Sequence, residues 1–113
     1  MTIEQFKSKL KLYPSEIIFT ETIQVIEDNY NFRTTAFTNG EIKNKAGENS
    51  GSCKLLAFAV DQKLTKEETL ACFGEHYQSV LEDSTGISHQ NIRNFIKTGF
   101  EGLVFENEAL KLK

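Results

Sequence analysis

GENSGSCKLLAFA, residues 47–59, joins a small polar segment directly to an apolar run in the middle of the chain. The residues from 46 to 52 are small or polar, so we predict a loop there. The apolar block Leu55–Val60 is too short for its periodicity to separate a buried helix from a buried strand. Its two alanines favour a helix, and Ser52 is placed to cap it. We therefore predict a polar loop followed by a buried helix that begins after Ser52.

Two helical patterns lie upstream of this stretch. Apolar residues recur at helical spacing over residues 3–13, behind Thr2 as an N-cap and before Pro14 as a stop. A second apolar stripe, which Ser15 would cap, continues to about Asn29. We expect these two helices to pack against each other as a hairpin.

Strand patterns follow these helices and return at the end of the chain. Aromatic and β-branched residues over 30–37 lead to Asn39-Gly40, a strong two-residue turn signal, so we predict a short strand or hairpin there. The apolar residues 103–105 and 110–112 predict two further strands, which we expect to close the chain as a hairpin.

Two more helices are predicted between the apolar block and these last strands. Thr65 and Glu68 have the spacing of a capping box, and an amphipathic pattern continues from them to Leu81. Another helix starts at Ser88 and ends at Gly99, where a left-handed residue is favoured.

Length and composition agree with one domain over residues 1–113. A chain of 113 residues with 39% hydrophobic and 26% charged residues is large enough to bury one core. The sequence therefore predicts a single α+β domain of about five helices with a small antiparallel β-sheet.

Charge and cysteine content exclude several classes of function. The net charge of −3, the scattered lysines and the two arginines give no electrostatic footprint for nucleic acid or an anionic membrane surface. Neither a secretory h-region nor a run of about 20 apolar residues is present. Cys53 and Cys72 lack a metal-ligand spacing, so we expect a reduced, cytoplasmic chain with no metal and no cofactor.

The polar loop is the first candidate site. A glycine-containing turn before a helix points backbone N–H groups and the positive end of the helix dipole at an anion. Asn49, Ser50, Ser52 and Lys54 would bind that anion. The spacing differs from a nucleotide P-loop, because Lys54 lies three residues beyond Gly51. The structural alternative is that the asparagine and the serines satisfy backbone groups of the turn.

The second candidate site is the start of the last helix, where hydrogen-bonding side chains are concentrated. His89, Asn91 and Arg93 could line a polar cleft together with the first loop. Two helix N-termini would then converge on one cleft, which would favour a small anionic metabolite or an acidic peptide end. The structural alternative is a helix cap followed by a solvated face.

Cys53 offers an enzymatic alternative. It falls in the first turn of the predicted helix, beside Lys54, and both features lower the pKa of a thiol. A base would have to come from His89 or His76 through a tertiary contact. The structural alternative is that Cys53 and Cys72 are small core residues.

Several stretches of the sequence resemble a known family. The matching residues are Thr35 to Gly40, Ala46-Gly47, Asn49 to Lys54, Ala57 to Ala59, Leu70 to Gly74, Tyr77, His89 to Phe95 and Lys97 to Gly99. The chain resembles the HopJ type III effector protein family over nearly its full length. The resemblance implies a small single-domain protein, named for an effector that a type III secretion system delivers into plant cells. It implies no reaction, cofactor or catalytic residue.

These observations lead to one main hypothesis and two alternatives. The main hypothesis is a monomeric, non-enzymatic binding module for a small anionic ligand or a protein partner. The first alternative is a thiol enzyme that uses Cys53 with His89. The second is a housekeeping cytoplasmic interaction domain that is not secreted. An interaction domain would use an aromatic surface, because we do not expect the core to hold all of Phe32, Phe37, Phe100 and Phe105. We expect a cytoplasmic chain, and the family name implies delivery into a host cell.

Overall fold

Six α-helices and five short strands build the fold, which confirms the predicted α+β class. The computed structural model describes all of residues 1–113. In chain order the elements are α1 (Ile3–Leu12), α2 (Phe19–Asn29), β1 (Tyr30–Phe32), β2 (Phe37–Asn39), β3 (Ile42–Asn44), α3 (Ser50–Asp61), α4 (Lys66–Cys72), α5 (Glu75–Glu82), α6 (Gln90–Thr98), β4 (Leu103–Phe105) and β5 (Leu110–Leu112). Short 3₁₀ turns occupy Pro14–Glu16 and Gly99–Gly102.

Helix α3 contributes most to the hydrophobic core. It contains the apolar block predicted to be helical, and five of its residues are buried, more than in any other helix. The Phe58 ring meets Phe6 of α1 and Tyr30 of β1 edge to face, with ring centroids 6.0 and 5.9 Å apart. All three belong to one cluster of 21 buried residues, whose removal from water is the main favourable contribution to folding.

The two β-sheets are parts of one interrupted antiparallel ladder. The strand order is β3-β2-β4 in the larger sheet and β1-β5 in the smaller one. Tyr30 lies opposite Leu112, and Phe37 lies opposite Phe105, so both pairings follow the same register. Backbone hydrogen bonds between the connecting segments, 33–36 and 106–109, bridge the gap. The C-terminal strands thereby return along the full length of the first two.

The predicted hairpin between β4 and β5 is therefore wrong. Strand β4 pairs with β2 and strand β5 pairs with β1, because the residues between β4 and β5 bond across to the first strand segment. Glu106 N–H donates to the Ala36 carbonyl, and Asn107 N–H donates to Thr35 Oγ1, both at 3.0 Å. The hairpin predicted around Asn39-Gly40 is confirmed as β2-β3.

Six helices form rather than about five, because Gly74 divides the helix predicted from Thr65 to Leu81. Gly74 has a φ of +58°, a value that side chains other than glycine rarely adopt. A Cβ at this position would lie 2.7 Å from Phe19 N and 2.8 Å from the Ile17 carbonyl oxygen. The start of α2 is therefore packed directly against the break between α4 and α5.

The predicted helix starts are partly confirmed. Thr2 and Thr65 each form a capping box at the N-terminus of α1 and α4. Ser15 caps nothing, because it lies in a 3₁₀ turn and α2 begins only at Phe19. The Phe19 N–H donates instead to Glu75 Oε1 at 2.7 Å, so a carboxylate from α5 satisfies this helix end.

Candidate functional site

Helices α3 and α6 begin in the same unusual way. Their N-cap residues, Asn49 and His89, have left-handed backbones with φ of 51° and 52°, and neither makes a side-chain cap hydrogen bond. The predicted caps Ser52 and Ser88 are wrong, since Ser52 is the third residue of α3 and Ser88 precedes the true cap. The first amides of both helices are consequently not satisfied by a local side chain.

Four asparagines join these two helix starts through the β2-β3 hairpin. The Asn44 and Asn91 side chains exchange two amide hydrogen bonds, each 3.1 Å long. Asn49 Nδ2 donates to Asn44 Oδ1 at 2.7 Å, and Asn39 Nδ2 donates to Asn91 Oδ1 at 3.0 Å. Asn39, Asn44 and Asn91 are buried, where an unmade hydrogen bond is costly. This asparagine network therefore fixes the start of α3 beside the start of α6.

A cleft of about 490 Å³ opens where the two helices start. Its walls come from both helix N-termini, β3, the start of α2, the end of α4 and the start of α5. The lining residues are Phe19, Ile42, Asn49, Gly51, Ser52, Phe73, His76, His89, Gln90, Asn91 and Ile92. None of them is Asp, Glu, Lys or Arg, so the cleft carries no acidic side chain although the chain is acidic overall.

Two histidines lie side by side in the wall of this cleft. The ring centroids of His76 and His89 lie 5.0 Å apart with an angle of 37° between the rings. The His76 ring also meets Phe19 edge to face at 4.9 Å, and Phe19 stacks on Phe73 at 6.3 Å. Aromatic packing of this kind holds His76 in place, while the His89 side chain at the helix start is exposed.

The structure brings together four of the residues predicted to bind a ligand. Asn49, Ser52, His89 and Asn91 all line the cleft. The Asn91 side chain is already occupied by the asparagine network, so it acts as a support for the cleft wall. Ser52, Asn49 and His89 are the members of the predicted set that remain at its surface.

Lys54 and Ser50 do not line the cleft. Lys54 Nζ lies 3.5 Å from a Glu27 carboxylate oxygen and 4.9 Å from the centre of the Phe32 ring, on another side of α3. Ser50 Oγ donates to the Gly47 carbonyl at 3.3 Å and so closes the turn before the helix. Both side chains are explained by contacts within the fold.

Arg93 also lies outside the cleft, where it holds the loop between α5 and α6. Its Nη1 donates to the Asp83 carbonyl at 2.8 Å, and its Nε donates to the Ser88 carbonyl. Nη2 lies 3.9 Å from an Asp83 carboxylate oxygen. Arg93 lies near the start of α6, where the sequence placed a helix start. Its guanidinium binds backbone carbonyls of the same chain and does not reach the cleft.

Cys53 does not have the properties of an activated nucleophile. Burial raises its pKa to about 11, against the smaller opposing effects of a Thr35 backbone hydrogen bond and the Lys54 charge. Burial also raises the pKa of Cys72 well above its ordinary value. Neither thiol lines the cleft that contains His89, and both are free and buried. The geometry therefore favours the core role for these residues.

Four phenylalanines that we considered as an exposed aromatic surface pack into or against the core. Phe37 is buried and stacks on Phe105 at 5.5 Å, and Phe95 meets Phe100 edge to face at 5.1 Å. Phe32, Phe100 and Phe105 are partly buried at the edge of the core. These phenylalanine side chains thus serve mainly to pack the core.

No group of three or more His, Cys, Asp or Glu side chains has a geometry able to hold a metal ion. None of the helices combines the length and the apolar character required to cross a membrane.

Comparison with known families and structures agrees with the resemblance noted in the sequence. A family model described as HopJ type III effector protein matches residues 3–110. The chain belongs to the HopJ family. A solved structure described as that of the unknown function protein VPA0580 is 51% identical to this HopJ chain. It superposes with a TM-score of 0.98, over 100% of this chain and 95% of the other. A search of curated proteins finds no match.

Sequence reasoning on the HopJ chain missed the residues that reach the cleft through tertiary packing. His76, Phe19 and Phe73 come from three helices whose own sequences show only amphipathic patterns. The sequence predicted His76 only as a possible base for Cys53, and its position two residues after Gly74 was the available sign of a helix break. Asn44 was also missed, because its burial depends on the contact between the β2-β3 hairpin and α6, which no local pattern shows.

Proposed function

We propose that this HopJ protein is a small binding module whose cleft between α3 and α6 takes an anionic group of a ligand. The observation that carries the proposal is the convergence of two helix N-termini on one cleft that also contains two histidines. Each element contributes partial or full positive charge toward the same space. We find no observation that favours the thiol-enzyme alternative over this one.

Backbone amides supply the first part of the proposed anion recognition. The first intrahelical hydrogen bond of α3 runs from Cys53 N–H to the Asn49 carbonyl, and that of α6 from Arg93 N–H to the His89 carbonyl. The amides that precede them in each helix are free of helical partners. Those of Gly51, Ser52 and Ile92 belong to residues of the cleft. Unpaired amides at a helix start are well suited to bind phosphate or carboxylate oxygens.

Side chains supply the second part. The Ser52 hydroxyl can donate a hydrogen bond to an oxyanion, and the imidazoles of His76 and His89 can add full positive charge when protonated. The cleft contains no carboxylate that would repel the anion. The aromatic wall of Phe19 and Phe73 gives the ligand an apolar surface to contact. The fitting ligands are a small anionic metabolite or the carboxylate end of an acidic peptide or protein partner.

The cleft can be tested by placing a carboxylate in it. S52E puts a negative charge in the first turn of α3, where the helix dipole favours it, so the fold should remain intact. It should also repel a second anion, and we expect at least about tenfold weaker binding of phosphate, which corresponds to about 1.4 kcal/mol. The measurement is an amide NMR titration with phosphate and acetate against chloride at equal ionic strength.

The matched control for this experiment is S8E, which adds the same charge at an exposed position of α1, a helix that contributes no residue to the cleft. In the unmodified chain, saturable shifts should appear at amides of residues 50–52 and 90–92. S8E should bind as tightly as the unmodified chain. Equal binding by S52E and S8E, or shifts spread over the whole surface, would contradict the proposed site.

The cellular setting belongs to the same proposal. The module acts as a monomer in the cytoplasm, with a small anion or a protein as partner and without nucleic acid or membrane. The family name supports delivery into a host cell by a type III system as one setting, and a housekeeping role in the producing cell is the other. A translocation reporter fused to the C-terminus, compared in secretion-competent and secretion-deficient cells, separates the two.

A further inference from the structure

We infer that binding of an oxyanion in this cleft is coupled to protonation of His76 and His89, so that the anion binds more tightly as the pH falls. The inference rests on the proposed anion site and adds its regulation. It stands on the geometry of the histidine pair. The two rings lie 5.0 Å apart, come from different helices and line the same cavity.

The two histidines are the only titratable side chains that line the cleft. Helix α3 contributes Asn49, Gly51 and Ser52, and strand β3 contributes Ile42. The nearest acidic residue along the chain is Glu75, whose Oε1 accepts the Phe19 N–H and which is not part of the cleft wall. The cleft wall itself therefore contains no carboxylate that would compensate a positive charge on either ring.

Protonation of both rings places two positive charges close together. This state is unfavourable in the empty cleft because like charges at this separation repel each other. An oxyanion bound in the cleft beside both rings would offset that repulsion and would gain the attraction of both charges. Histidine is the side chain whose charge ordinarily changes between roughly pH 5 and pH 8, and the coupling is tested in that range.

The sign of the effect follows from linkage. If the anion binds the protonated pair better, bound anion must favour proton uptake by the same free energy. The affinity for the anion therefore rises as the pH falls through the range in which the histidines take up protons. Above that range the affinity is low and no longer changes with pH. Uptake of one proton for each anion bound changes the affinity about tenfold per pH unit in the steep region.

Sulfate is the appropriate probe, because its own charge stays constant between pH 6 and pH 8. We expect the dissociation constant of sulfate, measured by amide NMR titration at fixed ionic strength, to be at least about tenfold lower at pH 6 than at pH 8. The imidazole Hε1 resonances of both histidines should titrate with a higher midpoint in saturating sulfate than in chloride.

The variant H76Q/H89N supplies the control. Asparagine is suited to the left-handed N-cap at position 89, since Asn49 fills the equivalent position of α3. Glutamine at position 76 keeps a polar side chain of similar length. This double variant retains both helix N-termini, so it should bind sulfate weakly and with nearly the same dissociation constant at pH 6 and pH 8.

Three results would overturn the inference. Sulfate binding of equal strength at both pH values would reject the coupling and leave the proposed anion site standing. A double variant as pH-dependent as the unmodified chain would assign the effect to groups other than the two histidines. Absence of sulfate binding at pH 6 and pH 8 would reject the coupling together with the anion site.

Discussion

At the scale of single residues, Asn44 determines whether α3 and α6 start side by side. Its buried side chain bonds both Asn49 and Asn91. N44A removes those partners and leaves buried amide groups unpaired, so we expect a loss of about 2 to 4 kcal/mol in the free energy of unfolding. Urea denaturation followed by circular dichroism measures this loss.

Asn31 provides the comparison for Asn44. It is an exposed asparagine of β1, and N31A should change the free energy of unfolding by less than about 0.5 kcal/mol. If N44A is as mild as N31A, the asparagine network is not what joins the two helix starts, and the cleft must be held by apolar packing alone.

Single residues also show which parts of the site a sequence can predict. Asn49, Ser52 and His89 reach the cleft because they are fixed at helix starts, and a helix start is a local property of the sequence. Lys54 and Arg93 do not reach it, because their long side chains find nearer partners in Glu27 and in backbone carbonyls. Those partners come from elements that local spacing does not place.

At the scale of elements, the break at Gly74 sets where His76 lies relative to the cleft. G74A forces alanine into a backbone with φ of +58° and brings its Cβ within 2.7 Å of Phe19 N. We expect a loss of more than about 2 kcal/mol in the free energy of unfolding, because strain and close contact add. Urea denaturation of the variant gives the value.

Gly47 allows the effect of backbone strain to be separated from the effect of the close contact. It also has a positive φ, of +90°, but a Cβ there would have no atom within 4 Å. G47A should therefore show only the cost of the strained backbone, about 1 kcal/mol. A loss for G74A no larger than that for G47A would mean that the contact with the start of α2 contributes nothing.

The break at Gly74 also shows why the sequence did not predict the number of helices. Apolar periodicity and a capping box correctly located the starts of α1 and α4. The periodicity continued across Gly74, so the two helices were predicted as one. The reason for the break is the approach of the α2 backbone, a contact between residues more than 50 positions apart. Local patterns carry no information about such an approach.

At the scale of the whole molecule, the chain ends are joined to its middle by one register. Residues 103–112 run back along residues 30–39, and the pairings of Tyr30 with Leu112 and Phe37 with Phe105 agree in register. Strand propensity predicted each of these short segments, but it could not assign their partners. Two adjacent strands suggest a hairpin, whereas the bonds between 33–36 and 106–109 direct each of them to an earlier strand.

The whole molecule should also lose stability in alkali. Burial raises the pKa of Cys53 from 9.0 to about 11. Burial, reinforced by a hydrogen bond to Asp61, raises that of Tyr30 from 10.0 to about 12. The folded state therefore keeps protons that the unfolded state releases. Their contribution is fully present below pH 9 and is lost as the pH rises through 9 toward 12, so the urea midpoint should fall steadily between pH 9 and pH 11.

The variant C53A isolates one of these groups. It should be less stable than the unmodified chain at pH 7, because a buried sulfur is removed from the core. Its urea midpoint should nevertheless fall less steeply between pH 9 and pH 11, because one buried group no longer ionises on unfolding. Parallel curves for C53A and the unmodified chain would show that the thiol ionises as easily in the folded state as in the unfolded one. Cys53 would then have to be considered again as a nucleophile.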